Sequence, residues 1–494
     1  MLEASEVGNK LSKQEFREMV PQLRVDLVNA QYDLKSADFG VLLMIAGDDR
    51  VAANEVVNRI NEWMDARFIG THVLGSLTEE EASRPRYWRI WRDMPARGRI
   101  ALLAGGVMRL LHENLMGELS DANYELAVDH LEAMQDALVA DGTLIVKIFL
   151  HTPAKVQRKR LKKAEKDPDE GWRVDQRDWA MLEAIGDAEP KLERLLRRTS
   201  VAGAPWVVVE STDARYRDVA VARTILNSLQ ARLDGPAPPG PAVSAQLFSP
   251  GDRGVTVLDT VDLTRTTERS AYKAELNRLQ RELHHLSVQA RNRGMASVLA
   301  FEGWDAAGKG GAIRRITQAM EAGDYRVIST AAPSEDERKY HYLWRFWRDV
   351  PRAGHVVIYD RTWYGRVLVE RIEGFASPAE WQRAYDEIND FEDQLVGHGM
   401  FVAKFWLHIS PEEQLARFQA REKTPEKAHK ITEEDYRNRE RWDEYVQAVD
   451  EMIVRTSAAE APWHVIAAND KLTARLEVLQ RVTEGMRQAL RRIP

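Results

Sequence analysis

The run Gly303-Trp304-Asp305-Ala306-Ala307-Gly308-Lys309-Gly310-Gly311 puts a lysine directly behind the second of two glycines, after an apolar stretch and before a helical one. That order suits a phosphate loop. Gly303, Gly308, Gly310 and Gly311 let backbone N–H groups turn inward around an anion, and the helix that follows adds the positive end of its dipole. Lys309 supplies a point charge to a phosphoryl group. Such loops usually carry Ser or Thr after the lysine to ligate a metal, but here the position is Gly310. A divalent ion then needs another oxygen, and Asp305 inside the loop is the candidate. Its bland alternative is an aspartate that stabilises a turn. A second acidic position closes the run His355-Val-Val-Ile-Tyr-Asp360-Arg361. Asp360 can hold Mg²⁺, directly or through water. Arg361 can clamp an oxygen on which charge develops. The bland alternative is an Asp–Arg pair capping a strand.

The chain contains these motifs once but their framework twice. Shifted by 256 residues, the segment 43–105 matches the second half without a gap. Trp-Arg-Ile-Trp-Arg-Asp-Met-Pro at 88–95 falls on Trp-Arg-Phe-Trp-Arg-Asp-Val-Pro at 344–351. Under that shift Lys309 becomes Ala53, Asp360 becomes Ala104 and Arg361 becomes Gly105. A structural Asp–Arg pair would more readily survive duplication than vanish together with the loop lysine. Trp88 and Trp91 persist, so Trp344 and Trp347 read as core. Arg338, Lys339 and His341 become Ala82, Ser83 and Pro85, a pattern that hints at a ligand role for the three.

Elements that would position the motifs follow from periodicity. Apolar runs at Ser297–Phe301, Tyr325–Ser329, His355–Asp360, Phe401–Ile409 and Trp463–Ala467 predict strands separated by long helical segments. The first half repeats the plan with Val41–Ala46, Ile100–Ala104, Leu144–Leu150 and Trp206–Glu210. Such alternation implies α/β units, each a parallel sheet flanked by helices. Tyr272, Leu276, Leu279, Leu283 and Leu286 mark an amphipathic helix leading into the second unit. Prolines crowd residues 234–250 and favour an extended spacer. The expected division is therefore a degenerate domain over 1–233, a linker over 234–255 and a catalytic domain over 256–494.

After the fourth strand of the second half come eight cations between Arg417 and Arg441, interleaved with acids. Thr424-Pro425 interrupts the first helix, and Thr432-Glu-Glu-Asp435 resembles a capping box that starts the next. Two helices joined by a basic turn could close over phosphates as a lid and exclude water. Arg417, Arg421, Lys423 and Lys430 are the expected anion contacts. The first copy keeps Arg160, Glu165, Lys166 and Pro168 at matching positions.

Composition narrows the class. A net charge of −7 gives no global attraction to nucleic acid or acidic membranes. The absence of cysteine excludes thiol catalysis. The polar start of the chain is unlike a signal peptide, and no run reaches the length of a membrane span, so a cytoplasmic protein is expected.

Taken together the motifs resemble the polyphosphate kinase 2 family. The pieces that carry the resemblance are the loop at 303–311, Asp-Arg-Thr-Trp-Tyr-Gly-Arg-Val-Leu-Val-Glu-Arg at 360–371, Glu-Lys-Thr-Pro at 422–425 and Ala-Pro-Trp at 461–463. The resemblance implies tandem thymidylate-kinase-like, P-loop domains with a helical lid, and Mg²⁺ as cofactor at Asp305 and Asp360. It implies roles for Asp305, Lys309, Asp360 and Arg361, with Arg366 and the lid cations on phosphate. The two-domain form resembles the class that phosphorylates AMP with polyphosphate, and the family implies a homo-oligomer. An ATP-dependent nucleotide kinase and a polyphosphate-binding protein without turnover are the alternatives.

Overall fold

In this computed structural model the described residues are 2–167, 171, 174, 176–235, 255–423 and 433–493. Most of the expected linker, the Thr424-Pro425 break and Lys430 lie outside them. The central strand of each half is apolar on both faces, which requires burial between helices. β1 (Val41–Gly47) is buried almost throughout. It lies in a five-stranded sheet with β2 (Ile69–Val73), β3 (Ile100–Ala104), β4 (Leu144–His151) and β5 (Trp206–Glu210), in the order β2-β3-β1-β4-β5. The second sheet contains β6 (Ser297–Gly303), β7 (Tyr325–Ser329), β8 (Val356–Asp360), β9 (Phe401–His408) and β10 (Trp463–Ala467). Its order, β7-β8-β6-β9-β10, repeats the first. All pairings are parallel.

The expected strands are present with ends moved by a residue or two. β2 was not anticipated. Its Ile-Gly-Thr-His-Val has no apolar run because it is a largely exposed edge strand. The shift of 256 would have located it, since β7 falls on it residue for residue.

In the first half, helices Lys13–Leu34 and Ala214–Asp234 pack together on one face, and Leu27, Val56, Ile225 and Leu229 join the core beneath β1. In the second, Arg269–Asn292 and Lys471–Arg492 form the matching pair, with Leu283, Val478 and Val482 fully buried. The chain separates into two compact units. Unit 1 comprises Met1–Leu77, Arg89–Ala242 and Glu335–Trp344; unit 2 comprises Thr78–Trp88, Val243–Ser334 and Arg345–Pro494. Among the described residues no helix is long and apolar enough to cross a membrane.

Candidate active site of the second repeat

β6 and β8 run side by side, with Phe301 paired to Asp360, so the loop after β6 and the Asp-Arg pair emerge at the same edge of the sheet. That edge, outside the carboxyl ends of parallel strands, is where open α/β sheets bind ligands. Gly303 has φ 146°, and a Cβ there would meet the Leu407 carbonyl oxygen at 2.6 Å, so β9 leaves no room for a side chain. Gly308 has φ 112° and caps the helix Lys309–Thr317. Among the described residues two other than glycine adopt positive φ, Ala306 at 62° and Arg361 at 64°, and both belong to this site. Such conformations persist where the surroundings hold them in place.

The surroundings are specific. Lys309 Nζ donates to the carbonyls of Gly303 at 2.6 Å and Trp304 at 3.4 Å. Burial, reinforced by the Arg361 charge, pushes the Lys309 ammonium below the ordinary lysine range, while Asp305, Asp360 and Glu302 pull the other way. An anion at the loop would favour its charged form. Arg361 pairs with Asp305 at 2.6 Å. The Asp360 carboxylate, half-buried, accepts no hydrogen bond from any described residue. Behind the pair stands Glu302, which sequence reasoning missed. One of its oxygens accepts from Thr362 N at 2.7 Å and Thr362 Oγ1 at 2.8 Å, fixing the turn that follows Arg361. Burial raises its carboxyl above the usual range, against the opposing effect of Lys309.

Arg417 differs from its expected role. It is buried, and its guanidinium donates to the carbonyls of Ala306, Ala307, Ala468 and Asn469 and to Glu413. With its nitrogens spent on the protein, it braces the back of the loop instead of reaching an anion. Arg366 is likewise held by Glu370 at 3.0 Å. Lys423 ends the helix Pro411–Glu422 and is exposed. Arg421 has no ion pair among the described residues. Two further cations without such a pair, Lys471 and Arg475, stand nearby on the last helix. Arg475 Nη2 lies 3.2 Å from where a Cβ on Gly311 would be. Burial, with Arg417 next in effect, lowers the Lys471 ammonium from its ordinary value, and Arg475 and Arg421 act in the same sense. Repeat subtraction could have found both: with the shift of 257 that holds here, they fall on Ala214 and Asp218.

The helices beyond the expected lid turn also reach the loop. Asn438 Nδ2 lies 3.4 Å from Asp305 Oδ2, and Trp442 stacks on Trp304 at 3.6 Å with the rings 10° apart. Arg437 and Arg441 pair with Glu373, and Arg439 donates to the Pro411 carbonyl. His341 is buried within unit 1 and packs against Trp91, so its part is packing and not the ligand contact its pattern suggested.

The first repeat keeps the backbone and lacks the loop lysine and the acid–arginine pair. Gly105, at the position of Arg361, has φ 88°. Ala53 is buried in the core where the second repeat has Lys309. Asp49 matches Asp305, accepts from Ala52 N and pairs with Arg160 at 3.2 Å. His151 lies between Asp48 and Glu6; burial opposes its protonation, but the two carboxylates hold it at about 9.

A parallel α/β unit with a lysine-bearing loop, a neighbouring acid–arginine turn and cations that form no ion pair among the described residues has the parts of a phosphotransferase. The family model described as Polyphosphate kinase 2 (PPK2) matches residues 10–235 and again 266–493. The chain belongs to the polyphosphate kinase 2 family. It is 43% identical to the polyphosphate:AMP phosphotransferase of Pseudomonas aeruginosa over the whole of both chains. It is 34% identical to that of Acinetobacter johnsonii, covering 94% of this chain and 96% of the other. A crystal structure described as a polyphosphate kinase 2 from Pseudomonas aeruginosa superposes with a TM-score of 0.88 at 41% identity, covering all of both chains.

Proposed function

We propose that the chain transfers the terminal phosphoryl group of inorganic polyphosphate to AMP, giving ADP, and that the second repeat performs the transfer. The observation that carries this reading is that Lys309, Asp360, Arg361, Arg421, Lys471 and Arg475 surround one loop in the second repeat and are all replaced in the first. Relatives matching at full length bear the name of that reaction.

An oxygen of the AMP phosphate forms the new bond to the terminal phosphorus. The anhydride bond to the next phosphate breaks, and the shortened chain leaves as an anion. The attacking oxygen is already ionised at neutral pH, so no strong base is required and catalysis is positioning plus charge neutralisation. Lys309 and the loop amides hold the transferring group. Arg361, fixed by Asp305 and by the Glu302–Thr362 turn, is placed to meet charge as it develops. Arg421, Lys471 and Arg475 hold the donor. Asp305 and Asp360 suit Mg²⁺, a hard ion that commonly takes one or two carboxylates and completes its shell with substrate phosphates and water. When bound, the ion neutralises phosphoryl oxygens. Asn438 and the Trp304–Trp442 stack hold the lid helices against the loop, so that water is kept from the phosphoryl group.

Purified protein given AMP, Mg²⁺ and polyphosphate should form ADP, and chelating the metal should stop it. ADP that forms only with ATP as donor would overturn the reading. Replacing Lys471 and Arg475 together by alanine should raise KM for polyphosphate about tenfold or more, as expected for lost charge-assisted contacts, with a smaller change in KM for AMP. Initial rates at varied donor concentration check this, and an unchanged donor KM would remove both residues from the site.

A further inference from the structure

The helix Ala154–Glu165 follows β4 in the first repeat and carries a row of cations, five of which its counterpart lacks. Lys155, Arg158, Lys159, Lys162, Lys163 and, just past its end, Lys166 are all exposed. Their spacing of three and four residues puts them on one face of the helix. At 1.5 Å per residue the row extends about 16 Å. None of the six has an ion pair among the described residues. The one acid of the helix, Glu165, accepts a hydrogen bond from Trp179.

The counterpart is the helix Pro411–Glu422. The two share their inward face: Gln157 matches Gln414, Arg160 matches Arg417 and Leu161 matches Phe418. Their outward faces differ. Lys155, Arg158, Lys159, Lys162 and Lys163 stand where the second repeat has Glu412, Leu415, Ala416, Gln419 and Ala420. The basic face is therefore not part of the shared framework. It belongs to the repeat that lacks the loop lysine, in a chain whose net charge is −7. A linear row of unpaired cations on a rigid element suits an extended polyanion held by charge alone, with no base or sugar to be read.

We propose that this face of the first repeat is an anchoring site for polyphosphate, separate from the site of transfer. The proposal rests on the reading that polyphosphate is the donor. An anchor on the same chain raises the local concentration of a long donor without touching the reacting phosphates. It gains nothing for a donor too short to reach both sites at once.

The test uses the full chain with all six positions changed to glutamine, beside a control in which the five lysines become arginine. Binding of fluorescently labelled long-chain polyphosphate is measured directly by polarisation over a range of salt, and turnover is measured with long-chain polyphosphate and with tripolyphosphate. The glutamine protein should bind the long chain about tenfold more weakly at low salt and show a shallower dependence on salt, because fewer counterions are released. Its KM for the long donor should rise, while kcat, KM for AMP and all tripolyphosphate kinetics stay as in the wild type, and the arginine control should match the wild type. Equal long-chain affinity in the glutamine and wild-type proteins would overturn the proposal. So would tighter binding of a single-stranded oligonucleotide of matched charge than of polyphosphate, lost in the glutamine protein. A wild type that makes no ADP from any polyphosphate would refute the donor reading alone, because the direct binding measurement still decides the anchor.

Discussion

Replacing Lys309 by alanine should lower kcat for polyphosphate-dependent ADP formation by about 10²–10³-fold, or about 3–4 kcal/mol of transition-state stabilisation, the usual effect of deleting one preorganised charge contact. The geometry gives the reason. The ammonium is anchored on the Gly303 and Trp304 carbonyls at the base of the loop, so its position is set before substrate arrives. Burial has already removed much of its hydration, so an arriving phosphoryl group interacts with it at low effective dielectric. A Lys309→Arg protein keeps the charge but not the shape of the contact and should fall between the two. Rapid-quench measurement of the first turnover separates transfer from product release. A Lys309→Ala protein that turns over within a few-fold of the wild type would remove the lysine from the mechanism.

What the sequence disclosed about this site was local or subtractive. The glycine loop and the Asp360-Arg361 pair are contiguous, and their residue types dictate backbone shape and charge directly. Comparing the two repeats then sorted candidate chemistry from framework, because a position that persists in the copy without the loop lysine has a structural reason to persist. The same comparison contained the answer for Arg417. Arg160 is retained in the first repeat and donates to the carbonyls of Ser211 and Thr212, which match Ala468 and Asn469. Residue type alone cannot tell a guanidinium that braces carbonyls from one that binds phosphate; its persistence beside a loop without a lysine does. Arg421 becomes Ala164 and shows the opposite pattern. Lys471 and Arg475 were illegible for another reason. They lie about 160 residues beyond the loop in sequence, and parallel sheet topology brings the last helix to it. Subtraction misled at His341: its loss from the first copy suggested a ligand contact, whereas it is absorbed into the packing of unit 1.

The second large effect lies beneath the site and concerns Glu392. Lys404 has no exposed surface, and its Nζ lies 2.6 Å from Glu392 Oε2 and 2.5 Å from the Thr456 carbonyl. The other oxygen of Glu392 accepts from Trp363 Nε1 at 3.0 Å and Tyr364 Oη at 2.7 Å. The carboxylate thus balances a buried charge and fixes the two aromatic residues that follow the Asp360-Arg361-Thr362 turn. The first repeat shows the pair altered. Its buried lysine, Lys147, faces Gln135, and Val107 and Met108 replace the two aromatics. There burial lowers the lysine from 10.5 to about 7. A Glu392→Gln protein should bring Lys404 towards the same condition. Breaking a buried pair from one side typically costs about 3–5 kcal/mol, and the amide, still an acceptor, places this case at the lower end, about 3 kcal/mol at neutral pH. Sign and window follow from the lysine. A lysine whose folded-state value is depressed is more protonated in the unfolded chain between the two values, so the folded state gains stability as pH rises. Burial already holds the wild-type Lys404 below the ordinary lysine range against the upward pull of Glu392, and losing that pull lowers it further. The deficit relative to wild type should therefore narrow as pH rises above neutrality, through the interval between the folded-state values of the two proteins. Taking the difference between the two proteins cancels the contribution of Lys147, which both contain. Urea unfolding midpoints across that range check the slope. A deficit that does not change with pH would mean that Glu392 supports Trp363 and Tyr364 alone and does nothing for the lysine charge. Because those aromatics anchor the turn after Arg361, kcat should fall in the same protein even where it remains folded, and a double substitution, Glu392→Gln with Lys404→Met, should recover stability without recovering the rate.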